Sequence, residues 1–346
     1  PHAAANRPLR CLSCLYRLSR ARRSFRPCGP RIAAGATGEV YRGDFLSDGL
    51  ERPVAIKLLK VGVEQQQNVA ARMRDEARML ARLRHPAIVR VENLCTFEGR
   101  LAVIMELVDG ADLSQIRTHY GRLSPRAVAE ILYHVADALH KAYLTPGPDE
   151  TPMCIVHRDI KPENIALDMF GAIKILDFGA ARAQFQGREA ETIDAVPGTL
   201  PYMAPERFSP DPDNGIYGAP ASDLWALGAT AIEVAVGIPW AKIRSQSKNS
   251  PPQECAQKAL AQAAIPSSLT KLLCTIVDAD WEKRPSAEQV VQQAEQLMRT
   301  LPGDSLRILA PEAIRATRQA QAPQPDARMG TILHASVAEK VYSRQS

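Results

Sequence analysis

Two short strings, HRDIKPEN at 157–164 and DFG at 177–179, constrain this chain more than any other feature of its sequence. The first places a carboxylate, Asp159, and an amide, Asn164, on one loop, and thirteen residues after Asn164 the second string adds the carboxylate of Asp177. A carboxylate can orient and deprotonate a hydroxyl, whereas amide and carboxylate oxygens suit a hard cation such as Mg²⁺. The fold therefore has to bring these three side chains to one place.

Candidate phosphate-binding groups lie upstream of these strings. In AAGATGEVY at 33–41, Gly35 and Gly38 allow backbone N–H groups to approach phosphate oxygens, although such turns between strands are common. Lys57, at the end of VAIK in a predicted strand, could reach the phosphates, and Glu76 in the next predicted helix could fix its ammonium group. The plainer alternatives are a solvated strand lysine and a surface glutamate.

The hydrophobic pattern divides the chain into a β-rich part and a helical part. EVYRG and PVAIKLL predict strands, a helical segment follows at 68–83, and IVRVENLCTF and LAVIMELV predict a strand pair. After Gly110 the pattern is mainly helical, and Ser124 followed by Pro125 predicts the start of a helix.

In this order the motifs resemble those of the eukaryotic-type (Hanks-type) Ser/Thr protein kinases over about residues 31–300. The resemblance implies an α+β, two-lobed protein-kinase-like fold, with a small β-rich N-lobe that has one main helix and a larger, mainly helical C-lobe. GTLPYMAPE at 198–206 resembles the end of the activation segment, and SDLWALG at 222–228 resembles the start of a buried central helix. Arg284 stands where the family places the partner of Glu206.

The resemblance also implies a role for each motif residue. It makes Asp159 the catalytic base and directs Lys161 to the γ-phosphate and Lys57, held by Glu76, to the α- and β-phosphates. ATP and Mg²⁺ are the implied cofactors, and proteins with serine or threonine acceptors are the implied partners. Lys161 and Thr199 favour Ser/Thr over tyrosine specificity. The implied metal ligands are Asn164 and Asp177; the implied nucleotide contacts are Gly35, Gly38, Val40, Ala55, Lys57, Glu106, Val108 and Ala166, with Met105 as gatekeeper.

Arg158 resembles the arginine of kinases whose activation segment is ordered by phosphorylation. Thr192 is the only hydroxyl between Gly179 and Gly198, so we expect it to be phosphorylated, in cis or by a sister molecule, and its phosphate to dock on Arg158. Acidic neighbours would repel that phosphate. A sister molecule is a possible partner for autophosphorylation.

Two departures from the family pattern concern the nucleotide site. Ala33 replaces the first glycine of the phosphate loop, and the prolines of RPCGPRI at 26–32 predict a first strand that is short, at an edge or displaced. Ala166 replaces a leucine beneath the adenine, a loss of about 2 to 3 kcal/mol of apolar contact if nothing else fills the space.

The boundaries expected from the sequence are a basic, disordered leader at 1–30, a kinase domain at 31–301 divided at 108/109, and a partly disordered tail at 302–346.

The net charge of +5 includes eight arginines and no acid in residues 1–38, which leaves −3 for the remainder and makes nucleic acid an unexpected partner. The apolar runs at 101–108 and 226–238 are too short to span a membrane. Cys11 and Cys14 form a lone CxxC, which we interpret as incidental thiols rather than a zinc site, and a cytoplasmic location is expected. The arginine-rich start also resembles a transit peptide, with a trimmed or misassigned start as the alternative.

Two other functions remain open from the residues. A pseudokinase, acting as a nucleotide-binding scaffold, would explain Ala33 and Ala166 but has no need of five polar groups arranged for metal and phosphate. A small-molecule phosphotransferase of the same fold would not need an activation segment that ends in APE.

Overall fold

The computed structural model describes residues 23–34, 38–47, 50–59, 82–97, 100–147, 149–177, 200–208, 220–247 and 250–321. Element labels below number the described elements in chain order. A β-sheet precedes a larger body of helices, so the expected α+β, two-lobed architecture is confirmed. The helix expected at 68–83 falls almost entirely outside the described residues.

The N-lobe is built on a five-stranded antiparallel sheet with the strand order β1-β2-β3-β5-β4. Alternate residues of β3 and β5 point to opposite faces, and one face forms a small core from Val54, Ile56, Leu58, Ala102 and Ile104. The strands are β1 (Arg23–Ala34), β2 (Gly38–Ser47), β3 (Leu50–Leu59), β4 (Val91–Phe97) and β5 (Arg100–Glu106).

The first strand lies at the sheet edge, as one of the sequence expectations had it, but it is not short. It runs for 12 residues, and its pairing with β2 shifts register between Pro27 and Arg31 and again between Arg31 and Ala33. Proline cannot donate a ladder hydrogen bond, so an irregular edge strand accommodates it. The expected disordered leader at 1–30 is therefore wrong for residues 23–30, which belong to this strand.

The C-lobe consists of helices and one small sheet. β6 (Gly110–Asp112), β7 (Ile165–Asp168) and β8 (Ile173–Ile175) form a three-stranded antiparallel sheet between the helical core and the N-lobe. The helices are α1 (Leu113–His119), α2 (Pro125–Leu144), α3 (Pro220–Val236), α4 (Trp240–Ser245), α5 (Pro252–Gln262), α6 (Ser267–Ile276), α7 (Ala287–Thr300) and α8 (Leu306–Gln321).

Two helix predictions are confirmed. Ser124 caps α2 by accepting a hydrogen bond from the Ala127 backbone N–H, with Pro125 as the first helical residue. The segment SDLWALG begins the buried part of α3, in which every residue from Ser222 to Val236 is buried. A helix that is apolar all round belongs in the core, and α3 lies at its centre.

The folded body extends past Leu301, where the sequence analysis ended it. Helix α8 buries Leu306, Leu309, Ala310, Ala313, Ile314 and Thr317 against the rest of the C-lobe. Its first backbone N–H, at Leu306, donates to the buried Glu130 carboxylate of α2 at 2.7 Å. These apolar positions recur at helical spacing, which the alanine- and glutamine-rich composition at the end of the helix obscured.

The segment at 144–154 forms a turn between α2 and the catalytic loop, from which Met153 packs into the core. A bridge between Pro146 and Pro152 closes it, and Gly147 N–H donates to the Thr151 carbonyl at 2.7 Å. Within the described ranges, every helix falls short of the length and apolar character that a bilayer crossing requires.

Candidate active site

Asp159 lies at the centre of a cluster of hydrogen bonds on the loop that follows α2. The Lys161 Nζ donates to its two carboxylate oxygens at 3.0 and 2.8 Å. The amide Nδ2 of Asn164 donates to the Asp159 carbonyl at 2.7 Å and to its Oδ2 at 2.8 Å. Three of the residues expected at the site therefore meet around one carboxylate, which is held in a single orientation.

This loop is anchored to the buried helix α3 through Asp223. The Asp223 carboxylate accepts hydrogen bonds from the backbone N–H groups of His157 at 2.6 Å and Arg158 at 2.7 Å. Burial raises the pKa of Asp223, and the two N–H donors oppose that rise. Arg158 has a positive φ of 68°, an uncommon conformation for a non-glycine residue, and these bonds hold it there.

His157 joins the loop to the strand that leads to Asp177. Its Nε2 lies 3.0 Å from the Leu176 carbonyl, and its Nδ1 lies 3.3 Å from the Asp159 backbone N–H. A carbonyl only accepts, so Nε2 carries the proton and Nδ1 accepts. Asn164 adds a second link, because its carbonyl accepts from the Leu176 N–H at 2.8 Å. The loop and the residue before Asp177 are thus fixed to each other.

Lys57 of β3 crosses from the N-lobe to Asp177. Its Nζ lies 2.5 Å from Asp177 Oδ1, and Lys57 is 9% exposed. Asp177 has a positive φ of 52°, which turns its side chain out of the strand direction. Lys57, Asp159, Asn164 and Asp177, far apart along the chain, are therefore brought together by the fold.

The face of the N-lobe sheet opposite the small core carries four of the residues named from the sequence. Val40 lies directly opposite Lys57 on the neighbouring strand, and Met105 lies directly opposite Ala55. Directly paired residues share a sheet face, so these four side chains form the roof of the cleft between the lobes. Gly38, which begins β2, is buried.

The hinge, residues 106–108, connects the roof to the C-lobe. The Glu106 N–H donates to the Arg90 carbonyl at 2.9 Å, and its carboxylate pairs with Lys174 of β8 at 2.7 Å. Val108 is half-buried. Glu106 with Lys174 and Lys57 with Asp177 are thus two of the ion pairs that join the lobes.

Ala166 and Asp112 lie on neighbouring strands below the hinge. Ala166 is 4% exposed and pairs with Asp112 on one side and Lys174 on the other. Asp112 caps α1 by accepting from the Gln115 N–H at 2.8 Å. Burial raises the pKa of Asp112 to about 6. Sequence reasoning missed Asp112; its signal was the capping pattern Asp112-x-x-Gln115 just after the hinge.

The donor set at Asn164 and Asp177 fits a hard cation. Both hydrogen bonds from Asn164 to Asp159 use its Nδ2, so the amide oxygen is the atom that a cation would use. Mg²⁺ keeps several waters and phosphate oxygens as ligands, so one amide and one carboxylate suffice. The described parts of the chain contain no group of three or more His, Cys, Asp or Glu side chains that could hold a metal.

The end of the activation segment is tied to the C-lobe as the motif predicted. Arg284 donates to both carboxylate oxygens of Glu206 at 2.8 Å, and Ser222 of α3 adds a third bond at 2.9 Å. Burial of Glu206 works against its ionisation, but the hydrogen bonds and charge of Arg284 outweigh it and hold the pKa of Glu206 below its usual value. Arg207 donates to the Arg158 carbonyl at 3.1 Å, which connects this segment to the catalytic loop.

Four of the candidate site residues, Gly35, Glu76, Thr192 and Thr199, lie outside the described residues. One buried cluster was missed: Glu233 of α3 accepts from the Tyr202 hydroxyl at 2.7 Å and the Trp240 N–H at 2.8 Å, and pairs with Arg117 at 2.9 Å. A charged residue inside an apolar helix pattern was the available signal, because buried charges need partners.

Comparison with known proteins agrees with this geometry. A family model described as a protein kinase domain matches residues 29–294. The serine/threonine-protein kinase PknA of Mycobacterium tuberculosis is 36% identical over 211 residues, which are 60% of this chain and 45% of PknA. The tyrosine-protein kinase MasK of Myxococcus xanthus is 33% identical over 224 residues, 61% of this chain and 33% of MasK. The probable serine/threonine-protein kinase PknB of Lactococcus lactis is 32% identical over 208 residues, 60% of this chain and 30% of PknB. The matched part is thus less than half of each relative.

Proposed function

The chain belongs to the protein kinase domain family, and on that premise we propose that it transfers the γ-phosphoryl group of Mg-ATP to serine or threonine hydroxyls of proteins. The observation that carries the proposal is the meeting of Lys57 and Asp177 across the two lobes, beside the cluster of Asp159, Lys161 and Asn164. Phosphoryl transfer asks a protein mainly for positioning and for cations against the phosphate charge. This set of side chains can supply both.

In this proposal each side chain has a definite task. Asp159 orients the acceptor hydroxyl and takes its proton, and its contacts with Lys161 and Asn164 keep the carboxylate aimed. Lys161 and Lys57 place ammonium groups against phosphate oxygens. Asn164 and Asp177 would hold Mg²⁺, which would neutralise charge on the phosphates.

The adenine belongs in this proposal between the roof and the sheet below the hinge. Val40 and Ala55 would cover one face of the base, Ala166 would lie under the other, and the backbones of Glu106 and Val108 would meet its edge. Gly35 and Gly38 would admit the phosphates.

Acceptor type, regulation and location also belong to the proposal. Lys161 and Thr199 favour serine and threonine acceptors, while MasK shows that a relative of similar identity is named a tyrosine kinase. Phosphorylation of Thr192, in cis or by a sister molecule, with docking of its phosphate on Arg158, is the proposed regulation. Cys95, Cys154, Cys255 and Cys274 are free thiols, which supports a cytoplasmic location.

A transfer assay with labelled Mg-ATP and a peptide library containing serine, threonine and tyrosine acceptors tests the function. We expect label on serine and threonine peptides, and a loss of about 10² to 10⁴ in kcat for Asp159→Asn, because the proton acceptor is removed. Asp159→Asn should still bind nucleotide, which a fluorescent ATP analogue would report.

Each other result is informative. Nucleotide binding without transfer by the unmodified chain would identify a pseudokinase, and transfer confined to tyrosine peptides would overturn the acceptor assignment. Equal rates for the unmodified chain and Asp159→Asn would refute the catalytic role.

A further inference from the structure

The strands below the hinge present two faces of different character. Along β7 and β8, the side chains of Ile165, Leu167, Ile173 and Ile175 are at most 2% exposed and point into the helical core. Strand alternation turns Ala166 and Lys174 to the other face, and their direct pairing places them side by side. That face lies below the hinge.

Lys174 extends from this face to the hinge. Its Nζ lies 2.7 Å from Glu106 Oε1, and the exposed fractions of the two side chains are 16% and 27%. The second carboxylate oxygen of Glu106 accepts the Arg90 backbone N–H at 3.3 Å. The four methylenes of Lys174 therefore run along the sheet between Ala166 and the hinge, since the ends of the side chain are fixed at both places.

Ala166 is small, yet it is 4% exposed, so the protein's own atoms cover its methyl group. The lysine stem beside it has as many carbons beyond Cα as a leucine side chain. An alkyl stem can serve as apolar surface while its ammonium pairs elsewhere. The space beneath the adenine, expected to be hollow from Ala166 alone, thus has a neighbour able to fill it.

We propose that Lys174 is a positioning residue of the nucleotide site: its stem fills the floor beside Ala166, and its ammonium holds the hinge through Glu106. This inference rests on the proposed function, because it assigns a role within the same ATP site. Lys174 serves in place of a larger residue at position 166 and fixes the hinge backbone that would meet the adenine edge.

Variants that move apolar side-chain volume from position 174 to position 166 test the proposal. The dissociation constant for a non-hydrolysable Mg-ATP analogue is measured by calorimetry for Lys174→Ala, Lys174→Met, Ala166→Leu and the double variant Lys174→Ala/Ala166→Leu. Lys174→Ala should weaken binding by about tenfold and raise the KM for ATP more than it lowers kcat, because apolar floor and hinge contact are both lost. Lys174→Met keeps the apolar stem and should lose less affinity than Lys174→Ala.

The double variant gives the decisive comparison. Ala166→Leu alone should bring no gain, since the stem already occupies the space, but in the Lys174→Ala background it should restore most of the lost affinity. Lys283→Ala, at an exposed lysine paired with Asp280, is the matched control, and thermal unfolding checks that each variant is folded.

An unchanged dissociation constant for Lys174→Ala, or the same effect of Ala166→Leu in both backgrounds, would overturn the inference while leaving the proposed function intact. If the unmodified chain binds no ATP analogue at all, the proposed function itself fails.

Discussion

Asp112 carries a buried carboxylate at the point where the hinge leads into α1. It accepts from the backbone N–H of Gln115, and the Gln115 side chain in turn accepts from the Asp112 N–H at 3.3 Å. Burial raises its pKa to about 6, with a further contribution from the negative charge of Glu163. The helix cap requires an oxygen at this position but not a charge.

Replacing Asp112 by Asn should make the protein more stable at neutral pH. The pKa rises from 3.8 in the unfolded chain to about 6 in the folded chain, so the folded state binds more protons between these values and stability falls as pH rises through them. Asparagine keeps the cap oxygen and does not bind a proton in this pH range. The stability advantage of Asp112→Asn, from urea unfolding at several pH values, should grow between about pH 4 and pH 6 and then level off. An advantage independent of pH would contradict this.

The sequence was sufficient to identify the functional side chains that lie within short motifs. Asp159, Asn164, Asp177 and Lys57 could be named because phosphate and metal chemistry needs those residue types and because the strings that contain them resemble the protein kinase pattern. The partners that hold them could not be named, because Asp223 is 64 residues from Asp159 and accepts from the backbone N–H groups of His157 and Arg158, whose directions a side-chain motif does not reveal. Lys174 was missed for the same reason: only the strand register places it beside Ala166.

At the scale of elements, α8 is part of the C-lobe rather than a tail. It packs against α1, β6 and β7, and its Arg318 pairs with Asp109 just after the hinge. Gly171, in the turn between β7 and β8, has a φ of 87°, and a Cβ there would lie 2.5 Å from the Arg307 backbone. The helix therefore lies directly against the turn of the sheet that supports the nucleotide site.

Removing residues 302–346 should destabilise the C-lobe and weaken ATP binding. The deletion exposes the surfaces that Leu306, Leu309 and Ile314 cover. The apolar area involved corresponds to a loss of at least about 3 kcal/mol in the free energy of unfolding. Thermal unfolding and affinity for an ATP analogue measure the two effects.

The control for this deletion is a chain that lacks only residues 322–346 and so keeps α8. It should match the full chain in both measurements. Equal melting temperatures for the two truncated chains would show that α8 adds nothing to the fold.

At the scale of the molecule, α3 is the common anchor of the functional loops. Asp223 holds the catalytic loop, Ser222 contacts Glu206 at the end of the activation segment, and Glu233 holds Tyr202. A displacement of α3 would therefore disturb all of these segments together.

Gly228→Ala should reduce activity from a position inside the core. A Cβ at Gly228 would lie 2.6 Å from Ile276 Cγ2 and 2.8 Å from Val277 Cγ1, so α3 or α6 has to shift. Overpacking of this kind costs about 1 to 3 kcal/mol. We expect lower stability in urea unfolding, and a kcat that falls more than the affinity for nucleotide.

Ile276→Ala removes the closest atom, so the double variant with Gly228→Ala should lose less stability than the sum of the single variants. If the losses of stability in the single variants simply added up in the double variant, the contact with Ile276 would not be the source of the strain.

The turn at 144–154 closes on itself through the pairing of Pro146 with Pro152, and it joins α2 to the catalytic loop without sharing the anchors of that loop. A change in the length of this turn would therefore alter the rim of the molecule and leave in place the hydrogen bonds that position the reacting groups.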